Sequence, residues 1–164
     1  MNPITRYPMP ARLRRTLAAL GPGAGAFVAV LAVLQLGSWT DWPLLMAPLG
    51  ASCVLVFALP DSPLAQPRNV VGGHALSTVI GLVLLHTAGL QPWSAALGVG
   101  LAIVLMQQTG TLHPPAGADP LVVMLGGAAW SFLWTPALLG AALIVAAAWA
   151  YHKACGRRYP QRWL

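Results

Sequence analysis

The sequence contains no glutamate and only three aspartates, and 7% of its residues are charged. Soluble domains carry roughly 25% charged residues. The shortage of acids leaves no paired carboxylates for hydrolysis, and no Walker-type phosphate loop is present. The two cysteines, Cys53 and Cys155, lie in different settings and form no disulfide framework. These absences argue against an ordinary soluble domain and against an enzyme.

Long apolar runs occupy most of the chain instead. Charged residues are missing from four stretches, which are residues 16–40, 42–60, 69–118 and 120–152. Because a spanning helix needs about 20 apolar residues, these runs have room for about four to six crossings. The sequence therefore predicts an all-α membrane protein: a compact helical bundle of four long spans plus two short, Pro/Gly-broken helices that are re-entrant or half helices.

Apart from Arg68, the lysines and arginines lie near the two ends, so the formal net charge of +6 does not indicate nucleic-acid binding. Positive flanks favour the cytoplasmic side and contact anionic lipid head groups. We expect a cytoplasmic N-terminus at 1–17, a membrane bundle at 18–152 and a cytoplasmic tail at 153–164, in the cell inner membrane. No signal-peptidase pattern follows the first apolar run, so we expect no cleavage there.

The apolar pieces predict helices at residues 20–39, 44–59, 70–90, 94–108, 121–134 and 136–151. The two short pieces begin with related signatures, "PLGAS" at 48–52 and "PAGAD" at 115–119. This similarity suggests an internal two-fold repeat with halves at 18–90 and 93–153, and chance similarity in a Gly/Ala-rich chain is the alternative. Interrupted segments at matching places in two halves point to a membrane binding site.

The segment "GTLHPPAGADP", residues 110–120, interrupts the apolar pattern most strongly. Proline ends or starts a helix, and non-helical backbone at membrane depth is tolerated only inside protein or beside water. A helix start here would present free amides to an anion, and so would its counterpart in the first half. Alternatively, the Asp119 side chain caps this helix. The candidate binding residues of the two breaks are Gly50, Ala51, Ser52, Pro114, Pro115, Ala116, Gly117, Ala118 and Asp119.

Ionisable residues near the breaks complete the candidate site. His113 in a cavity wall binds an anion or passes a proton, or else bonds to a neighbouring carbonyl. A second polar cluster contains Arg68, Asn69 and His74. Arg68 draws anions to a mouth, pairs with Asp61 or sets topology. If both short pieces cross, Arg68 is cytoplasmic; if both re-enter, it is external. The histidine spacing predicts no metal site, and no cofactor is expected.

Small residues recur every four positions, as at Gly73, Ser77 and Gly81. In lipid such faces allow helices to approach closely. The pattern predicts tight packing, and we expect a homo-oligomer.

Two blocks, "APLGASCVLVFALPDSPLAQPRNVVGGH" at 47–74 and "QQTGTLHPPAGADP" at 107–120, resemble the hallmark blocks of the HPP family of integral membrane proteins. The family is named for the His-Pro-Pro that stands here at 113–115. The resemblance covers nearly the whole chain and implies a single small membrane domain, usually described with four spans. Some relatives in cyanobacteria and chloroplasts are associated with nitrite transport.

These observations predict a transporter or channel for a small inorganic anion, with nitrite as the first candidate. One alternative is a non-transporting membrane subunit for assembly or sensing. Another is a proton-coupled carrier of a small organic solute.

Overall fold

A computed structural model describes residues 10–163, apart from the side chain of Leu17, so most of the predicted N-terminal segment 1–17 lies outside the described residues. Every element in the described part is helical. The α-helices are α1 (Ala11–Thr40), α2 (Ala47–Cys53), α3 (Pro67–Ala88), α4 (Pro92–Thr109), α5 (Asp119–Leu125) and α6 (Leu139–Ala154). Short 3-10 turns occupy Pro63–Ala65, Pro114–Ala118 and Trp130–Leu133, and π-helical turns occupy Val54–Ala58 and Trp134–Leu138.

Three helical segments of the described chain are long and apolar enough to cross a membrane: Ala11–Thr40, Pro67–Ala88 and Trp130–Ala154. The fourth long helix, α4, has 18 residues and is not among them. Its last turn carries Gln107 and Gln108, which lower its apolarity. The prediction of an all-α bundle is therefore confirmed, whereas the four long spans and the two-fold repeat stay predictions.

The two short helices have the lengths of half helices. α2 has 7 residues and continues into a π-helical turn of 5 residues, and α5 has 7 residues. At a rise of about 1.5 Å per residue, they measure about 18 Å and about 10 Å. The hydrocarbon core is about 30 Å thick, so neither reaches across it alone.

The predicted helix at 121–134 is wrong in its extent, because α5 ends at Leu125. Gly126 and Gly127 follow, and Gly127 has a φ of +58°, a conformation that favours glycine and ends helices. A separate 3-10 turn then begins at Trp130. The apolar run continued through this break, so hydrophobicity alone gave no sign of it.

The small residues of α3 receive the segment that follows α4. A Cβ added at Gly73 would lie 2.8 Å from the Cβ of His113, and one added at Gly81 would lie 2.8 Å from the Cα of Pro120. The predicted close packing is confirmed at these two positions, and its partner is the broken segment. α3 thereby holds residues 113–120 against its own backbone.

The connector between the first π-helical turn and α3, residues 59–66, is covered by the C-terminal tail. The Tyr159 hydroxyl donates to the carbonyl oxygen of Ala65 at 2.9 Å. The backbone N–H of Gln161 donates to the Gln66 side-chain oxygen at 2.8 Å, and the Gln161 amide donates to Asp61 at 2.8 Å. Tail and connector border an open cleft of about 730 Å³.

Candidate functional site

The two helix breaks meet inside the bundle. The Ser52 hydroxyl oxygen, in α2, lies 2.8 Å from Nε2 of His113, which immediately precedes the 3-10 turn of the second break. These residues are 61 positions apart in the chain, and both side chains are fully buried. The folded bundle therefore brings both interrupted segments to one point.

His74 of α3 extends this contact. Its Nε2 lies 2.8 Å from the Ser52 oxygen, and its Nδ1 lies 2.7 Å from Oδ2 of Asp119. The Thr78 hydroxyl donates to the same carboxylate oxygen at 3.4 Å. The four side chains Asp119, His74, Ser52 and His113 form one continuous series of contacts, which we call the polar chain. All four are 0% exposed.

The two ends of the polar chain differ. At one end the His113 Nδ1–H donates to the carbonyl oxygen of Leu64, a half-buried residue of the connector, at 2.8 Å. At the other end Oδ1 of Asp119 is buried and has no hydrogen-bond partner among the described residues. In the middle, the Ser52 hydroxyl is also within reach of the carbonyl oxygen of Pro48, at 3.2 Å.

Local sequence explains this placement. His113 precedes a proline, which disfavours helical backbone, and it has extended dihedrals of φ −136° and ψ 100°. His74 and Thr78 are four residues apart on α3 and so share a helix face. Gly73, next to His74, leaves the space that the His113 side chain occupies.

Arg68 and Asn69 hold the loop that leads into the second break. The Arg68 guanidinium donates to the carbonyl oxygen of Thr109 at 2.7 Å, and the Asn69 amide donates to that of Leu112 at 2.9 Å. Asp61 instead accepts from Gln161, so the suggested Arg68–Asp61 pair is not formed. The Arg68 side chain remains exposed.

The backbone of the two breaks is partly paired within its own turns. The Leu49 amide donates to the carbonyl oxygen of Met46, and the Ala116 amide donates to that of His113, both at 3.0 Å. Asp119 does not cap its helix, because its side chain faces His74 and Thr78. Among the other candidate residues Ala116 is buried, Pro115 and Gly117 are half-buried, and Gly50, Ala51, Pro114 and Ala118 are exposed.

Sequence reasoning missed three parts of the site. Thr78 could have been found from its position four residues after His74. The carbonyl groups of Leu64 and Pro48 carry no sequence signal, because every residue has one.

A third buried histidine, His152, was also missed. The His152 Nε2–H donates to the carbonyl oxygen of Val56 at 2.8 Å, inside the π-helical turn that follows α2. Its Nδ1 is buried without a partner among the described residues. No three His, Cys, Asp or Glu side chains of residues 10–163 are grouped so that they could hold a metal ion.

Comparison with known proteins identifies the family of this chain. A family model described as the HPP transmembrane region matches residues 11–160. The chain belongs to the HPP transmembrane family. Two proteins of Dictyostelium discoideum, each named only as a transmembrane protein, are similar to this HPP chain, with 39% and 38% identity over 128 residues.

The matched region is 73% of the HPP chain but only 45% and 41% of those two proteins, so the chain spans less than half of their length. No solved structure matches it. Family and apolar helices together identify a membrane protein.

Proposed function

We propose that this HPP-family chain transports a small inorganic anion across a membrane, with nitrite as the first candidate. The observation that carries the proposal is the buried contact between Ser52 of the first helix break and His113 of the second. Meeting points of broken helices are where membrane transporters place their substrate sites. The association of some HPP relatives with nitrite transport favours nitrite among small anions.

The donors for an anion are side chains. Two imidazole rings meet at the Ser52 hydroxyl, and the ring centroids of His74 and His113 are 5.1 Å apart. An imidazole with both nitrogens protonated donates twice and carries a positive charge. When Ser52 separates from the rings, these donors become free to replace part of the hydration shell of an anion. In the arrangement described here they bond to each other.

Arg68 has the exposure and position expected of a residue that attracts anions. Its guanidinium lies at the loop that leads into the second break, and its carbonyl partner leaves the positive charge uncompensated. A charge at a mouth raises the local concentration of oppositely charged ions. A location in the inner membrane, cytoplasmic termini and a homo-oligomeric assembly belong to the same proposal.

Flux into proteoliposomes tests the function. The purified chain is reconstituted, and uptake of nitrite, nitrate, formate and chloride is compared with protein-free vesicles. We expect saturable nitrite uptake above the protein-free rate. Absence of protein-dependent flux for all four anions would contradict the proposal and favour the non-transporting assembly or sensing subunit, especially if the chain purifies with a fixed partner.

The role of Arg68 has its own matched control. Arg68→Gln removes the charge but keeps a donor for the Thr109 carbonyl, and Arg68→Lys keeps the charge. We expect Arg68→Gln to slow uptake and weaken its dependence on salt concentration, because screening acts on the lost attraction. Equal uptake and equal salt dependence in both variants would remove Arg68 from the pathway.

A further inference from the structure

The Ser52 hydroxyl has too few hydrogens to donate to all of its neighbours. The hydroxyl has one hydrogen but three neighbours at bonding distance: the Pro48 carbonyl oxygen, Nε2 of His74 and Nε2 of His113. A hydroxyl donates once and accepts through its lone pairs. At least one of the two imidazole nitrogens must therefore donate to Ser52.

The same counting fixes the number of protons. His113 faces the Leu64 carbonyl, which only accepts, so its Nδ1 carries a hydrogen. Suppose that Asp119 were ionised and both rings neutral, with His74 donating from Nδ1 to the carboxylate. Two bare Nε2 atoms would then face a single hydroxyl hydrogen, leaving one contact of 2.8 Å between lone pairs. The geometry needs one proton more than that state contains.

We propose that the polar chain stores this additional proton and relays it between Asp119 and His113 through the Ser52 hydroxyl. In the neutral arrangement Asp119 donates to Nδ1 of His74, His74 donates from Nε2 to Ser52, and Ser52 donates to Nε2 of His113. In the ionic arrangement every one of these bonds is reversed, so that His113 is a cation and Asp119 an anion. Both arrangements contain the same number of protons.

The transfer between them needs no further reactant. The proton on Nε2 of His113 passes to the Ser52 oxygen while the Ser52 hydrogen passes to Nε2 of His74. The proton on Nδ1 of His74 passes to Oδ2 of Asp119. His113 loses its positive charge and Asp119 its negative charge, and each atom ends with its ordinary number of bonds.

The structure favours the neutral arrangement at rest. Oδ1 of Asp119 is buried without a partner among the described residues. An ionised carboxylate with an unbonded oxygen in an apolar interior is much costlier than a neutral carboxyl group in the same place. The ionic arrangement therefore requires something that stabilises a positive charge on His113.

Other titratable groups around the polar chain have separate surroundings. Arg68 on α3 donates to Thr109, Asp61 on the connector accepts from Gln161, and His152 on α6 donates to Val56. Cys53 on α2 is buried beside Ser52, and Tyr159 of the tail donates to Ala65. None of these five residues has a hydrogen bond to a member of the polar chain.

The His113 end is the end nearer to water. Leu64, its carbonyl partner, is half-buried and belongs to the connector, whose residues Asp61 and Ser62 line the open cleft. A proton that enters the bundle from this side reaches His113 first. Asp119, at the other end, is the deeper storage position.

One consequence rests on the proposed function. An anion bound beside His113 would stabilise its cation, so anion binding and transfer of the proton to His113 would favour each other. A monovalent anion and one proton would then move together, and the net transport would be electroneutral. The stored proton itself does not depend on this consequence.

Infrared spectroscopy tests the stored proton directly. The chain has only three aspartates and no glutamate, so the absorption of a protonated carboxyl group can be assigned with few variants. For the protein in lipid vesicles at neutral pH, we expect a protonated-carboxyl band that Asp119→Asn removes and Asp61→Asn leaves unchanged. Absence of the band, or its persistence in Asp119→Asn, would overturn the proposal.

Nitrite flux with a pH-sensitive dye inside the vesicles tests the coupling. After subtraction of protein-free vesicles, which corrects for permeation of nitrous acid, we expect proton entry with nitrite, driven by a pH gradient and insensitive to membrane potential. His113→Gln should abolish the coupled proton entry. Ser77→Ala, which changes a buried serine of α3 outside the polar chain, should not. Nitrite flux without protons would overturn the coupling alone. An infrared band without any anion flux would leave the stored proton in place and contradict the proposed transport.

Discussion

Two sites that bind buried histidines, Ser52 and Val56, lie one helical turn apart along the first broken helix. One offers a hydroxyl group and the other a backbone carbonyl. At Ser52, two imidazole rings meet a hydroxyl group. At Val56, the single ring of His152 meets a backbone carbonyl. The His152 ring is surrounded by Phe57, Tyr151 and Tyr159, with centroid separations of 6.3, 5.0 and 5.2 Å.

This difference decides what each histidine can do. A carbonyl only accepts, so His152 must keep a hydrogen on Nε2, and the unpartnered Nδ1 is the bare nitrogen of a neutral ring. A hydroxyl donates and accepts, so the contacts at Ser52 allow protons to be rearranged. We therefore interpret His152 as a structural link between α6 and the π-helical turn, and the Ser52 site as the functional one.

Breaking the Asp119 end should have the largest effect on stability. Asp119→Ala leaves Nδ1 of His74 without its buried partner and opens space beside Thr78, so we expect a loss of about 3 kcal/mol in the free energy of unfolding. Asp119→Asn can donate from its amide to Nδ1 of His74, as the neutral carboxyl group does, and should lose less than about 1 kcal/mol. Unfolding in detergent measures both. Equal losses would indicate that Asp119 is needed as an anion.

A substitution at Gly73 tests whether close packing against α3 holds His113 in the polar chain. In Gly73→Ala the new Cβ would lie 2.8 Å from the Cβ of His113 and 3.0 Å from the Thr111 carbonyl oxygen, so the broken segment must move. We expect a loss of about 2 kcal/mol in unfolding free energy and a slower nitrite flux. Gly100→Ala in α4 meets open space and should instead stabilise the helix by roughly 0.5–1 kcal/mol. A neutral Gly73→Ala variant would contradict the packing described for this segment.

His152→Phe should show that the two histidine sites have different roles. It removes the hydrogen bond to the Val56 carbonyl while filling similar space among aromatic neighbours, and we expect a loss of about 1 kcal/mol in unfolding free energy. Nitrite flux and its pH dependence should remain those of the unmodified chain. A changed pH dependence in His152→Phe would show that this ring also takes part in proton movement.

The smallest effect on stability is expected at Tyr159, in the tail that covers the connector. Tyr159→Phe loses the hydrogen bond to Ala65 and should cost roughly 0.5–1 kcal/mol near neutral pH. Burial raises the pKa of the Tyr159 phenol. Below the ordinary tyrosine pKa of about 10 the phenol is protonated in both the folded and unfolded chain, and its contribution is complete. Above that pH the unfolded phenol ionises first, so stability falls as pH rises. The free energy of unfolding, measured across this pH range, should decline less steeply in Tyr159→Phe than in the unmodified chain. Identical slopes would contradict the burial of Tyr159.

The sequence predicted the helical class and most helix positions, because apolar runs and proline breaks act locally. It failed at α5, where the apolar run extends past Gly126 and Gly127 but the helix stops before them. The first predicted span, residues 20–39, lies within α1, which begins at Ala11, because charged residues such as Arg12 are compatible with a helix that extends beyond the membrane.

The members of the polar chain could be selected from the sequence, since Ser52, His74, His113 and Asp119 are polar residues within apolar surroundings. Their order could not, because it depends on how α2, α3 and the second break pack in three dimensions. The carbonyls of Leu64 and Val56, which fix the hydrogens of His113 and His152, carry no sequence signal. The proton count could therefore be derived only once the contacts were known.

Nitrite flux in matched serine variants tests most directly whether Ser52 is the centre of the proposed transport site. Ser52→Ala removes the hydroxyl between the two rings, whereas Ser77→Ala removes a buried hydroxyl that donates to the Met106 sulfur at 3.7 Å and lies outside the polar chain. We expect Ser52→Ala, folded and reconstituted, to lose roughly tenfold or more of the flux, equivalent to about 1.4 kcal/mol, and Ser77→Ala to retain it. A folded Ser52→Ala variant that carries nitrite as fast as Ser77→Ala would contradict the account.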